Sequence, residues 1–385
     1  MTGWSAVAGT HAFVVPGEEQ ARALAEDLAA YGFALVTARP ARHTAGWVVT
    51  AFDEGPYPPD AAGHRTIDAV GRQAAAVARR HAGYPDGGSR CDPSLLERIR
   101  PTGTPIEHTN PGARPPVPDI VIGAAPPPAS LALTPDQVRD VPIDLSGLDE
   151  IAWADLTHAH GAAGDVPDLV RALADPYGDW ESTLDELFGD DLLHQGTCYT
   201  ATAPALPFLT RMIVSGALPA KQRLDLHVWL LIAAGRRAED LLGDADYAAI
   251  KGRPPAVDDQ VQQVHHTVGA QLPALLARWD SEPAAIRYAL VCLVALYPHH
   301  AHPIGEAIVD MVDQFDGTRP GAYLNLAHAL VRGQDDQALA IATDIVGWEP
   351  DHDPAWLDAP NVPTAVKASH ILTEGALRAL STSTP

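Results

Sequence analysis

The residue types best suited to chemistry gather between positions 158 and 199. His194, Gln195, Cys198 and Tyr199 share one polar stretch of that region. A cysteine near a histidine can act as a nucleophile, because an imidazole can take the thiol proton. The sequence supplies no orienting acid at a recognisable spacing and no oxyanion motif. We interpret the stretch as a capping loop between two helices, with a loop that contacts a ligand or partner as the alternative, and we expect no catalysis.

Histidines cluster at three places, which the sequence gives as His158/His160, His265/His266 and the turn 299–302. A helix that binds a metal usually presents two ligands four residues apart, as in H-E-x-x-H, and this motif does not occur. His158 and His160 are two residues apart, so on a helix they would point to roughly opposite sides. The turn 299–302 could hold a metal, with a solvated turn as the default interpretation. We predict neither a bound metal nor a cofactor.

Adjacent carboxylates could act as acid and base. The sequence has them at Asp185/Glu186, Asp190/Asp191, Glu239/Asp240 and Asp335/Asp336. We interpret these pairs as solvated helix surface, which together could form an acidic binding surface. The motifs G-x-x-x-x-G-K-[ST], G-x-G-x-x-G and G-x-S-x-G do not occur, so the common nucleotide and hydrolase sites are unsupported. We therefore expect a protein that is not an enzyme.

The acidic charge is confined to one part of the chain. The formal net charge is −23 from 26 basic and 49 acidic side chains, and residues 101–385 hold 16 of the basic and 38 of the acidic ones. So negative a surface repels phosphate backbones, which argues against direct nucleic-acid binding. A basic protein is the favoured partner.

Cysteine usage and hydropathy predict a cytoplasmic protein. The three cysteines are far apart and form no C-x-x-C motif or disulfide framework, which suits a reducing compartment. The first residues lack the basic and apolar regions of a signal peptide. No apolar stretch approaches the roughly 20 residues that a membrane-spanning helix needs.

The N-terminal part, residues 1–92, predicts a small α/β domain. Apolar and β-branched residues indicate strands at 11–15, 33–39 and 46–53. Helical periodicity indicates helices at 18–31, which Gly32 should end, and at 65–81. The order β-α-β-β-α resembles a split βαβ sandwich with helices on one face of the sheet.

Within this domain, residues 11–15, 31–33, the strand around Trp47 and the cluster 82–88 together resemble the regulator of ribonuclease activity B family. Pro85 lies between Tyr84 and Asp86, and Gly88 stands where that family typically has tryptophan. The resemblance implies a ferredoxin-like fold that binds and inhibits another protein. Taken by itself, the 84–88 cluster indicates a glycine turn that closes the sheet.

Residues 93–146 are predicted to be a proline-rich linker in extended conformation, in which only 119–123 could add a strand. Residues 147–385 form an all-α domain by periodicity. Its predicted helices lie at 180–188, 203–214, 222–242, 283–297, 304–315, 322–331 and 335–346, with a further start after Asp165. Successive pairs begin about 35–40 residues apart, the period of helical-pair solenoids.

A second resemblance rests on residues 153–161, 165–173 and 194–209, which look like a group of bacterial HEAT-repeat proteins. It implies a curved helical scaffold that binds other proteins and performs no chemistry.

We therefore predict a non-enzymatic regulator or inhibitor that binds a basic protein through a concave acidic face. An immunity protein that neutralises a basic toxin or nuclease is the preferred version. The alternatives are a nucleic-acid-acting helical-repeat enzyme and an assembly scaffold. The residues expected to contact the partner are His158, His160, Asp190, Asp191, His194, Gln195 and Tyr199 in the helical domain, and Tyr84 and Asp86 in the small domain.

Overall fold

A computed structural model describes most of the chain. The described residues are 5–41, 46–59, 61–100, 103–110, 112–117, 124–133, 141–175, 178–251, 258–349, 352, 356–359 and 361–381. They form two compact units, 1–122 and 123–385. The strand considered for 119–123 lies outside the described residues.

The first unit contains the predicted alternation of strands and helices. Its elements are β1 (Val7–Val15), α1 (Glu18–Tyr31), β2 (Leu35–Pro40), β3 (Trp47–Tyr57), α2 (Ala61–Arg79), β4 (Tyr84–Cys91), α3 (Leu96–Ile99) and β5 (Ile106–Thr109). Gly32 ends α1 as predicted, with a φ of 120° that favours glycine.

These strands form one antiparallel sheet in the order β4-β1-β3-β2-β5. Helices α1 and α2 pack against the sheet and bury an apolar core between helices and strands. Leu24 and Leu28 come from α1, Val70 from α2, and Phe13 and Val49 from the strands. Alternation along each strand sends these side chains to the helix-covered face.

Two parts of this unit differ from the sequence prediction. The cluster 84–88 is not a glycine turn, because it belongs to β4, which pairs with β1 through an irregular register between His11 and Phe13. The predicted linker is not a plain spacer either, because β5 pairs with β2, with Leu35 opposite Thr109. An unpaired edge strand attracts any extended segment nearby, and residues 106–109 satisfy its free backbone groups.

The second unit is mostly helical. Before its first α-helix it contains a short hairpin, β6 (Thr157–His158) and β7 (Gly161–Ala162). Its helices are α4 (Val166–Leu173), α5 (Trp180–Leu184), α6 (Thr202–Ser215), α7 (Ala220–Lys251), α8 (Asp259–Leu276), α9 (Ala284–Ala295), α10 (Gly305–Gln314), α11 (Arg319–Val331), α12 (Asp335–Trp348) and α13 (Thr364–Ser381). A π-helical segment, Asp185–Leu192, continues α5. Helices α8 and α13 are additional to those that the sequence analysis placed.

The centre of this unit is α9, which is buried from Tyr288 to Ala295 on every side. Helices α7, α11 and α13 surround it, and α13 also packs against α7, α11 and α12. A helix that is apolar all round must be enclosed, and the return of the last helix completes the enclosure.

Part of the proline-rich segment packs onto this unit. Leu131 is buried in the helical core, and the Pro127 carbonyl accepts a hydrogen bond from the Arg319 backbone N–H at 2.9 Å. Among the helices that the structure describes, none combines the length and the apolar character needed to cross a membrane.

Candidate functional site

The β6–β7 hairpin brings two of the predicted histidines together. His158 ends β6, and His160 lies in the turn that Gly161 completes with a φ of 135°. Their ring centroids are 6.0 Å apart. The helical geometry that would send them to opposite sides does not apply, because the backbone here is a hairpin with a two-residue turn.

The π-helical segment separates the environments of Asp190 and Asp191. The Leu193 backbone N–H donates to the Phe188 carbonyl at 3.0 Å, which is the wider spacing of a π-helix. In this segment Asp191 is only 4% exposed, whereas the Asp190 side chain is 64% exposed. The interpretation of this pair as solvated surface is therefore wrong for Asp191.

Two threonines fasten the hairpin and the π-helical segment to the start of α6. The Thr200 hydroxyl accepts a hydrogen bond from the Thr157 backbone N–H at 2.7 Å. The buried Thr202 hydroxyl donates to the Leu192 carbonyl at 2.7 Å and accepts from the Tyr199 backbone N–H at 2.9 Å. The Ala159 N–H also donates to the Asp191 carbonyl at 3.1 Å. These hydrogen bonds join the hairpin to residues that lie much later in the sequence, beyond α4 and α5.

The inner part of the site is a triad formed by His158, Asp165 and Asp191, hereafter the inner triad. His158 Nδ1 lies 2.9 Å from Asp191 Oδ1, and His158 Nε2 lies 3.3 Å from Asp165 Oδ1. Burial raises the pKa of the Asp191 carboxyl, and the neighbouring His158 opposes that shift. Both ring nitrogens of His158 thus face carboxylate oxygens, and the His160 backbone N–H also donates to Nδ1 at 3.2 Å.

Beside it lies the outer triad, formed by His160, Asp190 and His194. The His160 and His194 ring centroids are 5.5 Å apart, and His194 Nδ1 lies 3.9 Å from Asp190 Oδ1. One ligand atom from each of the three residues lies within 4.8 Å of the others. Nitrogen and carboxylate oxygen in this arrangement are donors suited to a divalent metal ion.

Two other predicted contact residues, Gln195 and Tyr199, follow His194 in the chain and belong to neither triad. The backbone of Gln195 lies in the turn His194–Gly196, and Tyr199 is half-buried beside Thr202. The expected capping role of this loop takes another form, because Thr202 is the first residue of α6 and its hydroxyl bonds to Leu192 and Tyr199.

The Cys198 thiol is buried, and burial raises its pKa to about 12. A nucleophilic cysteine must reach its thiolate form, so this environment works against the Cys–His alternative.

The remaining predicted residues lie elsewhere. Tyr84 and Asp86 belong to the edge strand β4 of the first unit, where Asp86 is exposed. His265 stacks on Tyr297 with centroids 4.3 Å apart. The His299 and His300 rings are 4.2 Å apart, but in the described parts of the chain the turn 299–302 belongs to neither group with the spacing of metal ligands.

Asp165 is the site residue that sequence reasoning assigned to another role. It was expected to cap α4, and it does precede that helix, but its side chain forms no capping hydrogen bond. It faces His158 instead. In the sequence, this role was indicated only by the few residues that separate Asp165 from His158 and His160. That separation becomes informative when the β6–β7 hairpin is known.

Comparison with known proteins finds no matching family model, no similar curated protein and no similar solved structure.

Proposed function

We propose that the protein is a non-enzymatic regulator that binds a basic protein partner through the acidic surface of its helical unit. One observation carries this proposal: α10, the turn that follows it and α12 present seven exposed carboxylates. They are Glu306, Asp310, Asp313, Asp316, Asp335, Asp336 and Asp344. Within the described residues none of them forms an ion pair, although many other acidic side chains do.

The two helices present these charges because their apolar sides face inward. On α10 the buried residues are Ile308 and Met311, and on α12 they include Ala342 and Ile345. Both helices pack against α11. Unpaired carboxylates of one sign repel one another, so a basic partner would relieve that repulsion and would be attracted at long range.

Part of the observed topology supports the finer fold assignments that we propose for the two units. The strand order β4-β1-β3-β2 and the crossing helices agree with the ferredoxin-like arrangement proposed for the first unit. Helices α6 to α12 succeed one another at short intervals, as in the proposed HEAT-like array. The contact of α13 with α7 is a departure from that array, in which each pair meets its neighbours only. Helix α13 packs against α7, α9 and α11. We therefore propose that the partner binds at the exposed carboxylates of α10 and α12 and not at a concave face.

An immunity protein that neutralises a basic toxin or nuclease is the specific version that we propose. Acidic inhibitors gain association rate and specificity from charge complementarity. The same charge disfavours a nucleic-acid-acting enzyme, because the exposed surface described here would repel phosphate.

The test is affinity capture from the source cells with the full-length protein, followed by mass spectrometry. The acidic-surface variant carries Glu306→Gln, Asp310→Asn and Asp313→Asn, and a control variant of equal charge carries Glu19→Gln, Glu26→Gln and Asp155→Asn. A basic protein captured by the wild type and the control, released by salt and lost from the acidic-surface variant supports the proposal. Equal capture by all three proteins, or capture of acidic partners only, overturns it.

A further inference from the structure

The outer triad has a property that the inner triad lacks: its polar side chains converge without satisfying one another. The distance from His194 Nδ1 to Asp190 Oδ1 is 3.9 Å, which is too long for a hydrogen bond. In the described residues no hydrogen bond joins the side chains of His160, Asp190 and His194. By contrast, both ring nitrogens of His158 already face carboxylate oxygens of the inner triad.

The spacing of the outer triad is close to that of ligands around a metal ion. Its ligand atoms lie within 4.8 Å of one another. Around a tetrahedral zinc ion, with Zn–N bonds of about 2.0 Å, ligand atoms are roughly 3.3 Å apart. His160 and Asp190 are exposed side chains, so modest rotations about their side-chain bonds would bring the donor atoms to that distance.

The backbone beneath the triad is held by buried contacts. The His158–Asp191 pair joins the hairpin to the π-helical segment, with side chains only 6% exposed. The hydroxyl of Thr202 ties the end of that segment to α6. His160, Asp190 and His194 are each within two residues of one of these fixed points, so their backbones are placed before any ion binds.

We propose that His160, Asp190 and His194 bind one divalent transition-metal ion of the zinc type. Two imidazole nitrogens and one carboxylate suit Zn²⁺ or a neighbouring first-row ion, whereas Mg²⁺ and Ca²⁺ prefer oxygen ligands only. Three protein ligands leave at least one coordination position open to solvent, which can take water or a donor group from a partner. The ion-binding site is independent of the acidic surface on α10 and α12.

Calorimetric titration of the full-length, metal-free protein with ZnCl₂ tests the proposal. We expect saturable binding at this site, and we expect His160→Asn and His194→Asn each to weaken it at least tenfold. His302→Asn, which replaces an exposed histidine of the turn 299–302, serves as the matched control and should leave the affinity unchanged. Titration with MgCl₂ should show no competition for zinc.

Two further measurements keep the outcome decisive. Circular dichroism and thermal unfolding of the metal-free variants should match the wild type, which separates lost ligands from lost fold. The variant Asp165→Asn distinguishes the two triads, because only the inner triad contains that residue. The proposal is overturned if zinc does not bind, if binding is insensitive to both histidine substitutions, or if Asp165→Asn abolishes it while His160→Asn does not.

Discussion

Gly375 on α13 lies so close to Tyr323 on α11 that a Cβ atom at position 375 would overlap the phenol ring. Tyr323 is fully buried, so its ring has little room to move. The closeness of these two residues lets the last helix pack against the helices around α9. Glycine at this position is therefore a packing requirement, since its backbone conformation is one that other residues could adopt.

The substitution Gly375→Ala should destabilise the helical unit by about 1–3 kcal/mol, because an added methyl group overpacks a filled core. Urea unfolding followed by circular dichroism measures the change. Gly243→Ala is the matched control, since it lies in α7 with no atom within 4 Å of the added group. The control should gain about 0.5–1 kcal/mol from the better helix propensity of alanine. Equal effects of the two substitutions would contradict the packing of α13 described here.

Removing Arg223 should be far more damaging than removing a surface cation of the same helix. Arg223 Nη2 lies 2.7 Å from Glu282 Oε2, and both side chains are 1% exposed. We expect Arg223→Met to cost about 3–5 kcal/mol, because a buried carboxylate then loses a partner. Lys221→Met removes the pair of an exposed lysine with the half-buried Asp225 and should cost less than about 1 kcal/mol. Denaturant titrations of both variants give the comparison, and similar losses would refute it.

Acid should destabilise the helical unit partly through His227. This ring is fully buried, and burial lowers its pKa to about 4, while Glu282 opposes and Arg223 and Arg278 add to the shift. A lowered folded-state pKa means that the contribution is complete above the unfolded value near 6.5 and is lost as the pH falls toward 4. Relative to His227→Gln, the wild type should lose up to about 3 kcal/mol over that interval. Unfolding at pH 7.5, 5.5 and 4.5 checks this; a constant difference between the proteins at all three values would rule out the linkage.

Glu239 on α7 should give the opposite pH dependence. Burial raises its pKa to about 7, and Glu374 on α13 adds to the shift while Arg236 opposes it. A carboxyl group with a raised folded-state pKa contributes stability that is complete below about 4.5 and is lost as the pH rises through 7. Glu239→Gln should therefore stabilise the protein at pH 8 relative to the wild type, and much less at pH 5.

The partner variant Glu374→Gln provides the control for that prediction, because it removes the neighbouring carboxylate and leaves Glu239 in place. In the Glu374→Gln variant, the loss of stability that Glu239 causes should occur at a lower pH than it does in the wild type. The measurement is the thermal midpoint as a function of pH. If both variants followed the wild-type curve, the contact between these two carboxyl groups would have no energetic role.

The local pattern of the sequence determined most of the secondary structure. Apolar spacing places α1, α9 and α12 close to their observed bounds, and Gly32 marks the end of α1. These features depend on residues within a few positions of one another, so the periodicity of side chains along one helix or strand is enough to show them. The uneven distribution of charge is likewise a property of the sequence alone.

Tertiary structure decided the environment of the candidate site and the enclosure of the helical core. Asp191 is buried and Asp190 exposed because the segment packs with one side against the rest of the unit, and His158 meets Asp191 across more than 30 intervening residues. The position of α13 against α11 depends on contacts as small as that between Gly375 and Tyr323. Such contacts between distant segments are determined by how the chain closes on itself, and no periodicity within a segment records that closure.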